Sequence, residues 1–169
     1  MVNLSAHSAG ARTPRVLAVS SGGGHWVELR KLRPAWAGAD VTYVVTDRGY
    51  RKDLMDDADG SEETAARMLC LPDANKTQKL RMVWLALCSL WVVLRIRPDV
   101  VISTGAAPGY FAIRLGKMLG ARTIWVDSIA NAEGMYLSGK LEKPYSDLWL
   151  TQWPHLASEN GPKHAGTIL

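Results

Sequence analysis

"VLAVSSGGGHWVELRKL", residues Val16–Leu32, runs from four apolar residues through two serines and three consecutive glycines into His25 and an amphipathic stretch. A short apolar run followed at once by helix-forming residues reads as a buried strand turning into a helix. Glycines at that junction have two uses. They permit a tight turn, and they leave backbone N–H groups bare at the positive end of a helix dipole, where a phosphate or a developing negative charge is stabilised without a cationic side chain.

Outward from this junction the chain alternates between the two kinds of element. "RVLAVS" (15–20) and "DVTYVV" (40–45) read as buried strands, "ARMLCL" (66–71) as a weaker one, and "DVVIST" (99–104), "RTIWVD" (122–127) and "DLWLTQ" (147–152) as three more. Between them the spacing predicts helices over 25–36, 75–96 and 108–119, with a short turn near 50–57. This alternation predicts an α/β fold, a Rossmann-like, doubly wound parallel sheet in the order 3-2-1-4-5-6. Ligands in such sheets bind beyond the carboxyl ends of the strands, where the order reverses. The first and fourth strands are then neighbours, so "SSGGGH" and "STGAAPG" face one crevice, and the second loop's Gly105 and Gly109 favour the binding use of the first.

Nucleotide motifs fit poorly. Gly22 and Gly24 begin a G-x-G-x-x-G pattern, but Val27 stands at its third glycine, and no G-K-[ST] follows. Asp47 stands near the place of a ribose-binding acid, yet "VTDRG" is equally an ordinary strand-ending turn. His25 opens its helix, where the dipole disfavours an imidazolium and suits a neutral ring that accepts a proton. Two roles stay open for it: general base or substrate-orienting group, or a helix cap partnered by Glu28 one turn on. Glu28 would otherwise be a solvated surface acid.

Composition narrows the classes. At 169 residues the chain is one domain, with no repeat, linker or low-complexity segment. A formal charge of +4 and a pI near 9.2 favour anionic partners without choosing among nucleic acid, phospholipid and phosphorylated substrates. Cys70 and Cys88 lie in apolar surroundings and read as buried thiols, not as a disulfide framework. The four histidines, His7, His25, His155 and His164, have no metal-ligand spacing, so no metal is expected. Residues 1–14 lack an apolar signal-peptide core and read as a flexible tail ahead of a 15–169 domain.

"KTQKLRMVWLALCSLWVVLRIRPD", Lys76–Asp99, is the most unusual segment. Only Ser89 interrupts the apolar run from Met82 to Leu94, a helix apolar on every side yet shorter than the roughly 20 residues that span a bilayer. Lys76, Lys79 and Arg81 precede the run, Arg95 and Arg97 follow it, and Trp84, Leu87 and Trp91 lie within. Basic ends with tryptophans suit a helix lying among anionic head groups. The other reading is a crossover helix packed on the sheet, and one helix can present a face to each.

Four motifs in order, "SSGGGHWVELRKL", "RPDVVISTGAAPG", "VDSIANAEGMYLSGKL" and "SDLWLTQWPHL", resemble the membrane-recruiting subunits of two-chain, lipid-linked glycosyltransferases. One branch of that family is the eukaryotic subunit that helps add the second N-acetylglucosamine to dolichol diphosphate. The other serves bacterial capsule and exopolysaccharide synthesis. The likeness runs from about Arg15 to the C-terminus, with a more distant one to the N-terminal domain of the peptidoglycan lipid-intermediate N-acetylglucosaminyltransferase. It implies half of an inverting GT-B enzyme, taking a polyprenyl-diphosphate-linked sugar at the cytoplasmic face of the membrane. The chain ends at "KHAGTIL" with no room for a second domain, so a separately encoded donor-binding subunit would hold the UDP-sugar, with no cofactor on this chain and no nucleic-acid partner. By the same resemblance His25 is the catalytic candidate. Gly22, Gly23, Gly24, Ser103, Thr104 and Gly105 would form the acceptor-side wall, joined by Asp127, Ser128, Asn131 and Glu133, residue types that also serve turns and caps. Gln152, Trp153 and Pro154 would face the partner subunit or simply pack locally. The family's eukaryotic members carry an N-terminal transmembrane helix absent from this sequence, which leaves Arg81, Trp84, Leu87, Trp91 and Arg95 as the membrane contact. A scaffold that recruits and activates its partner without supplying a reacting group is the rival from another class. A nicotinamide-dependent enzyme is a third reading, disfavoured by Val27 and by the lack of a substrate domain.

Overall fold

Six of the apolar runs form strands: β1 (Arg15–Val19), β2 (Asp40–Val45), β3 (Arg67–Cys70), β4 (Val100–Ser103), β5 (Arg122–Val126) and β6 (Leu148–Thr151). A seventh, β7 (Lys163–His164), was not expected from the sequence. All pair in parallel in the order β3-β2-β1-β4-β5-β6-β7, which is the expected order extended by one strand. The computed structural model describes residues 12–58, 67–75, 77–134 and 137–168, the side chains of 55–58 and 137–138 excepted. Lys76 and most of the expected tail, residues 1–11, lie outside the described residues.

Alternation along the strands divides the core into two layers. Val16, Ala18, Tyr43, Val45, Ile102 and Val126 point to one face, where Trp26 and Leu29 of α1 (Gly24–Lys31), Trp36 of the following 3-10 turn and Leu54 of α2 (Arg51–Ala58) cover them. Leu17, Val19, Val44, Val101 and Trp125 point to the other, under α3 (Lys79–Ile96) and α4 (Ala106–Met118). Helices on both faces of a parallel sheet make this a doubly wound fold.

The helix limits differ from the sequence reading for local reasons. The first helix stops at Lys31 because Pro34 opens a 3-10 turn over Arg33–Trp36. The long helix begins at Lys79, with Gln78 at the N-cap position and no side-chain cap, instead of at 75, since Asn75 is spent on a turn: its Oδ1 accepts from Thr77 N and Oγ1 at 3.1 and 2.6 Å. The fourth helix starts at Ala106, so Pro108 and Gly109 sit inside its first turn. A Cβ on Gly109 would lie 1.9 Å from Ser103 Oγ, and one on Gly116 would lie 2.5 Å from Val101 Cγ2. Gly109 is therefore a packing glycine that brings α4 close to β4, and not part of a binding loop.

On α3, Leu85, Ser89, Val92 and Val93 face the core, and Ser89 returns its hydroxyl to Leu85 O at 2.8 Å, which satisfies the one polar group on that face. Leu80, Val83, Trp84, Leu87, Trp91 and Leu94, at helical spacing, are exposed, Trp84 and Trp91 by 59% and 60%. Arg81 and Arg95 are exposed beside them. This helix thus has a sheet-facing side and an open apolar side. Leu69, Cys70, Trp84, Leu87, Cys88 and Trp91 line a shallow groove of about 460 Å³ between α3 and edge strand β3. Cys70 is exposed and Cys88 half-buried, so neither is the buried thiol expected from its neighbours, because β3 is an edge strand and α3 is open there.

A short helix, α5 (Leu137–Glu142), is also new. Its Glu142 is fully buried and accepts from Arg114 Nε at 3.1 Å, the guanidinium lying between the rings of Tyr110 and Tyr145 at 4.2 and 4.1 Å. Burial raises the Glu142 carboxyl to about 7, against the pull of Arg114.

Candidate functional site

Three loops meet where β1, β4 and β5 end, at the crevice expected from the strand order. The first follows β1. Gly23, at φ 71°, is the N-cap of α1 and makes no side-chain cap, so the helix start keeps donor capacity in its first turn. Two loop amides are already used: Gly22 N–H donates to Thr46 Oγ1 at 3.2 Å and Gly23 N–H to Tyr50 Oη at 2.7 Å. The bare-backbone expectation therefore narrows to Gly24 and His25. A Cβ on Gly23 or Gly24 would meet nothing within 4 Å, so the front of this loop is open.

The second loop, after β4, is shaped from behind. Ser103 Oγ accepts from Gly105 N–H at 3.0 Å, and Thr104 Oγ1 donates to His25 O at 2.7 Å. Both residues are fully buried, and these hydroxyls are directed at the protein's own backbone. Gly105, at φ 132°, lies against the imidazole, since a Cβ there would come 2.8 Å from His25 Cε1. Ala106 continues in the left-handed region at φ 64°, a strained geometry for a residue with a Cβ.

The third loop follows β5. Asn131 Nδ2 donates to Asp127 Oδ1 at 2.8 Å, and Ser128 Oγ accepts from Ala130 N–H at 3.3 Å. Asp127, Ser128 and Asn131 are buried, whereas Glu133 is exposed and joins none of these bonds. Burial pushes the Asp127 carboxyl above its ordinary value, opposed by the Asn131 bond and by the charge of His25. The C-terminal segment pins this loop. Gln152 Nε2 donates to Asp127 O at 3.1 Å, Gln152 Oε1 accepts from Ile168 N–H at 3.0 Å, and Trp153 Nε1 donates to Ile129 O at 2.8 Å. Gln152 is buried, with both amide ends engaged within the chain. Trp153 is half-buried and Pro154 exposed.

His25 belongs to the first loop, lies against the second and meets the third through Glu28. Its ring is 30% exposed, and its Nδ1 is buried without a hydrogen-bond partner among the described residues, 4.0 Å from Glu28 Oε2. Glu28 is neither a solvated acid nor part of a cap: it is buried, and its Oε1 accepts from Ser128 Oγ at 2.9 Å and Ile129 N–H at 3.0 Å. Sequence reasoning missed it because its partners stand about a hundred residues away. Asp47 resolves as turn chemistry, accepting from Gly49 N–H at 2.8 Å. Among the described residues, no cluster of His, Cys, Asp or Glu is arranged to hold a metal ion.

The profile of "Oligosaccharide biosynthesis protein Alg14 like" matches residues 64–168. The chain belongs to the Alg14-like family. UDP-N-acetylglucosamine transferase subunits ALG14 of Rattus norvegicus and Mus musculus are 31% and 29% identical to it, over 89% and 88% of this chain and 82% and 79% of theirs. The family resemblance drawn from the four motifs is borne out. Among solved structures, Acinetobacter baumannii MurG superposes with a TM-score of 0.70 at 10% identity, over 90% of this chain. The UDP-GlcNAc 2-epimerase of Methanocaldococcus jannaschii does so with 0.60 at 11%, over 81%. The Alg14-like chain spans only 45% and 39% of those two proteins. At such identities the likeness concerns fold, and that fold is the expected N-terminal, Rossmann-like domain of GT-B proteins.

Proposed function

We propose that this chain is the acceptor-side subunit of a two-chain, UDP-sugar-dependent glycosyltransferase, recruiting a donor-binding partner to a polyprenyl-diphosphate-linked sugar at the cytoplasmic face of a membrane. The meeting of three loops around His25, in a chain of the Alg14-like family, carries this reading. An acceptor hydroxyl gives its proton to His25 Nε2 as its oxygen bonds to the anomeric carbon, and the bond from that carbon to UDP breaks with inversion. The open front of the first loop, backed by the first-turn amides of α1, receives the acceptor's diphosphate. Trp153 and Pro154 border the surface offered to the partner.

The membrane contact in this proposal is the open side of α3. None of the described helices is long and apolar enough to cross a bilayer. In a parallel sheet a crossover helix runs back from the carboxyl ends of the strands, so Leu80 and Arg81 lie at the same edge as the three loops. Trp84, Leu87 and Trp91 entering the acyl boundary, with Arg81 and Arg95 among head groups, would lay the site against the bilayer.

The test is transfer of radiolabelled sugar from UDP to a polyprenyl-diphosphate-linked sugar in vesicles holding the chain with its partner. His25→Ala is expected to lower turnover by roughly 10²–10⁴-fold, with the partner still recruited to the vesicles. Full turnover in that variant would assign the chain the scaffold role, and loss of recruitment without the chain's tryptophans would identify the anchoring face.

A further inference from the structure

Three buried polar atoms at the crevice lack hydrogen-bond partners among the described residues: His25 Nδ1, Glu28 Oε2 and Asp127 Oδ2. Unsatisfied groups at such density cost stability and call for an explanation in function. Glu28 divides its two oxygens unequally. Oε1 is saturated by Ser128 Oγ and Ile129 N–H, while Oε2 is held 4.0 Å from His25 Nδ1 with nothing else to accept. Gly105 blocks the ring from behind, and Thr104 fixes the His25 backbone through its carbonyl, so little movement is open to the imidazole except toward the carboxylate.

We propose that Glu28 is the positioning residue for His25: one oxygen holds the loop after β5, and the other accepts a hydrogen bond from Nδ1–H, which fixes that tautomer and leaves Nε2 bare toward the crevice. The inference rests on His25 being the base proposed above. A separation of 4.0 Å is long for a hydrogen bond, and such contacts close when substrate fills the site. Asp127 does not compete for this role: Trp125 and Asn131 both stand as donors to its carboxylate, and the acid within 4.0 Å of Nδ1 is Glu28. A single carboxylate thereby couples the shape of the third loop to the tautomer of the first.

Glu28→Gln separates the two jobs of this side chain. A glutamine Oε1 still accepts from Ser128 and Ile129, whereas its NH₂ cannot accept from Nδ1–H. In the full-length chain, ¹⁵N shifts of the His25 ring are expected to report Nδ1–H in the wild type and a move toward Nε2–H in Glu28→Gln. Ser128→Ala, which loosens the loop but leaves Oε2 in place, keeps the wild-type shifts. In the complex with its partner, Glu28→Gln is expected to lower kcat on the order of 10–100-fold with KM unchanged, the range seen when a carboxylate behind a functional histidine is lost. The double variant His25→Ala/Glu28→Gln is then no slower than His25→Ala alone. Ring shifts that ignore Glu28→Gln, a loss confined to KM, or effects that multiply in the double variant would each overturn the proposal. Full turnover of His25→Ala beside a tautomer that responds to Glu28→Gln removes the base reading alone and leaves Glu28 as the group that orients the ring.

Discussion

The two glycine loops look alike in sequence, and they spend their glycines differently. In "SSGGGH" the side-chain positions of Gly23 and Gly24 open on empty space, so nothing in the protein itself forbids a larger residue at Gly24. In "STGAAPG" the space is already taken: His25 fills it at Gly105 and Ser103 at Gly109. Absence of a side chain is structural where the protein fills the gap or where φ is positive, as at Gly23; at Gly24 neither applies, and the space in front of the backbone stays free. The same contrast divides α3, whose Leu85, Val92 and Val93 are covered while Trp84 and Trp91 are not.

Substitutions that fill these spaces sharpen the contrast. Gly105→Ala should do most harm, because it adds a φ of 132° to a 2.8 Å approach to His25. A loss of about 2–4 kcal/mol in urea unfolding is expected, with turnover down roughly 10²-fold as the ring is displaced. Gly109→Ala comes next, at about 1–3 kcal/mol, with a smaller fall in turnover than in Gly105→Ala, since the displaced Ser103 hydroxyl also holds Gly105 N–H. On the open side of α3, Trp84→Ala/Trp91→Ala should leave the unfolding midpoint within experimental scatter. Sedimentation with anionic vesicles should weaken at least about tenfold, since each ring loses roughly 1.5 kcal/mol or more of apolar contact. Unaltered vesicle affinity would mean that this face meets something other than lipid.

Glu142 gives a smaller effect on the covered side. Its carboxyl, raised to about 7 from 4.5, keeps in the folded chain a proton that the unfolded chain releases, so its contribution is full below about 4.5 and is lost as pH rises to about 7. Glu142→Gln should flatten that slope, measured as urea midpoint against pH, by about 1–3 kcal/mol across the window. Gly24→Ala should be the mildest in stability, within about 1 kcal/mol of wild type and in the stabilising direction for a helix start. If the diphosphate approaches this backbone, KM for the acceptor rises all the same; an unchanged KM would close the open loop as a ligand site.

Strand order, the two-sided core and the crevice could be read from the sequence, because apolar runs bounded by Pro, Gly and Asp recur at α/β spacing and "SSGGGH" fixes the switch point. The two-residue β7, "KH", has no apolar residue to announce it and exists only through pairing with Leu150 and Thr151. Gly109 misled because a glycine needed for a close helix–strand approach is spelled the same as one in a binding loop. Ser103 and Thr104 carry loop-binding chemistry, and it is directed at their own backbone. Glu28 was invisible for a different reason: an acid on a short helix looks solvated until a loop from far along the chain lands on it.

That distance has a consequence for how the protein comes into being. Ser128 and Ile129 reach Glu28 across about a hundred residues, and their loop is secured only when Gln152 and Trp153 have arrived. A nascent chain emerging from the ribosome can assemble β1, β2 and α1 early, yet the loop that meets Glu28 is held only once Gln152 and Trp153 have been made. The wall around His25 is therefore closed by bonds made late in the chain, and a copy cut before Gln152 would lack the contacts that hold its third loop.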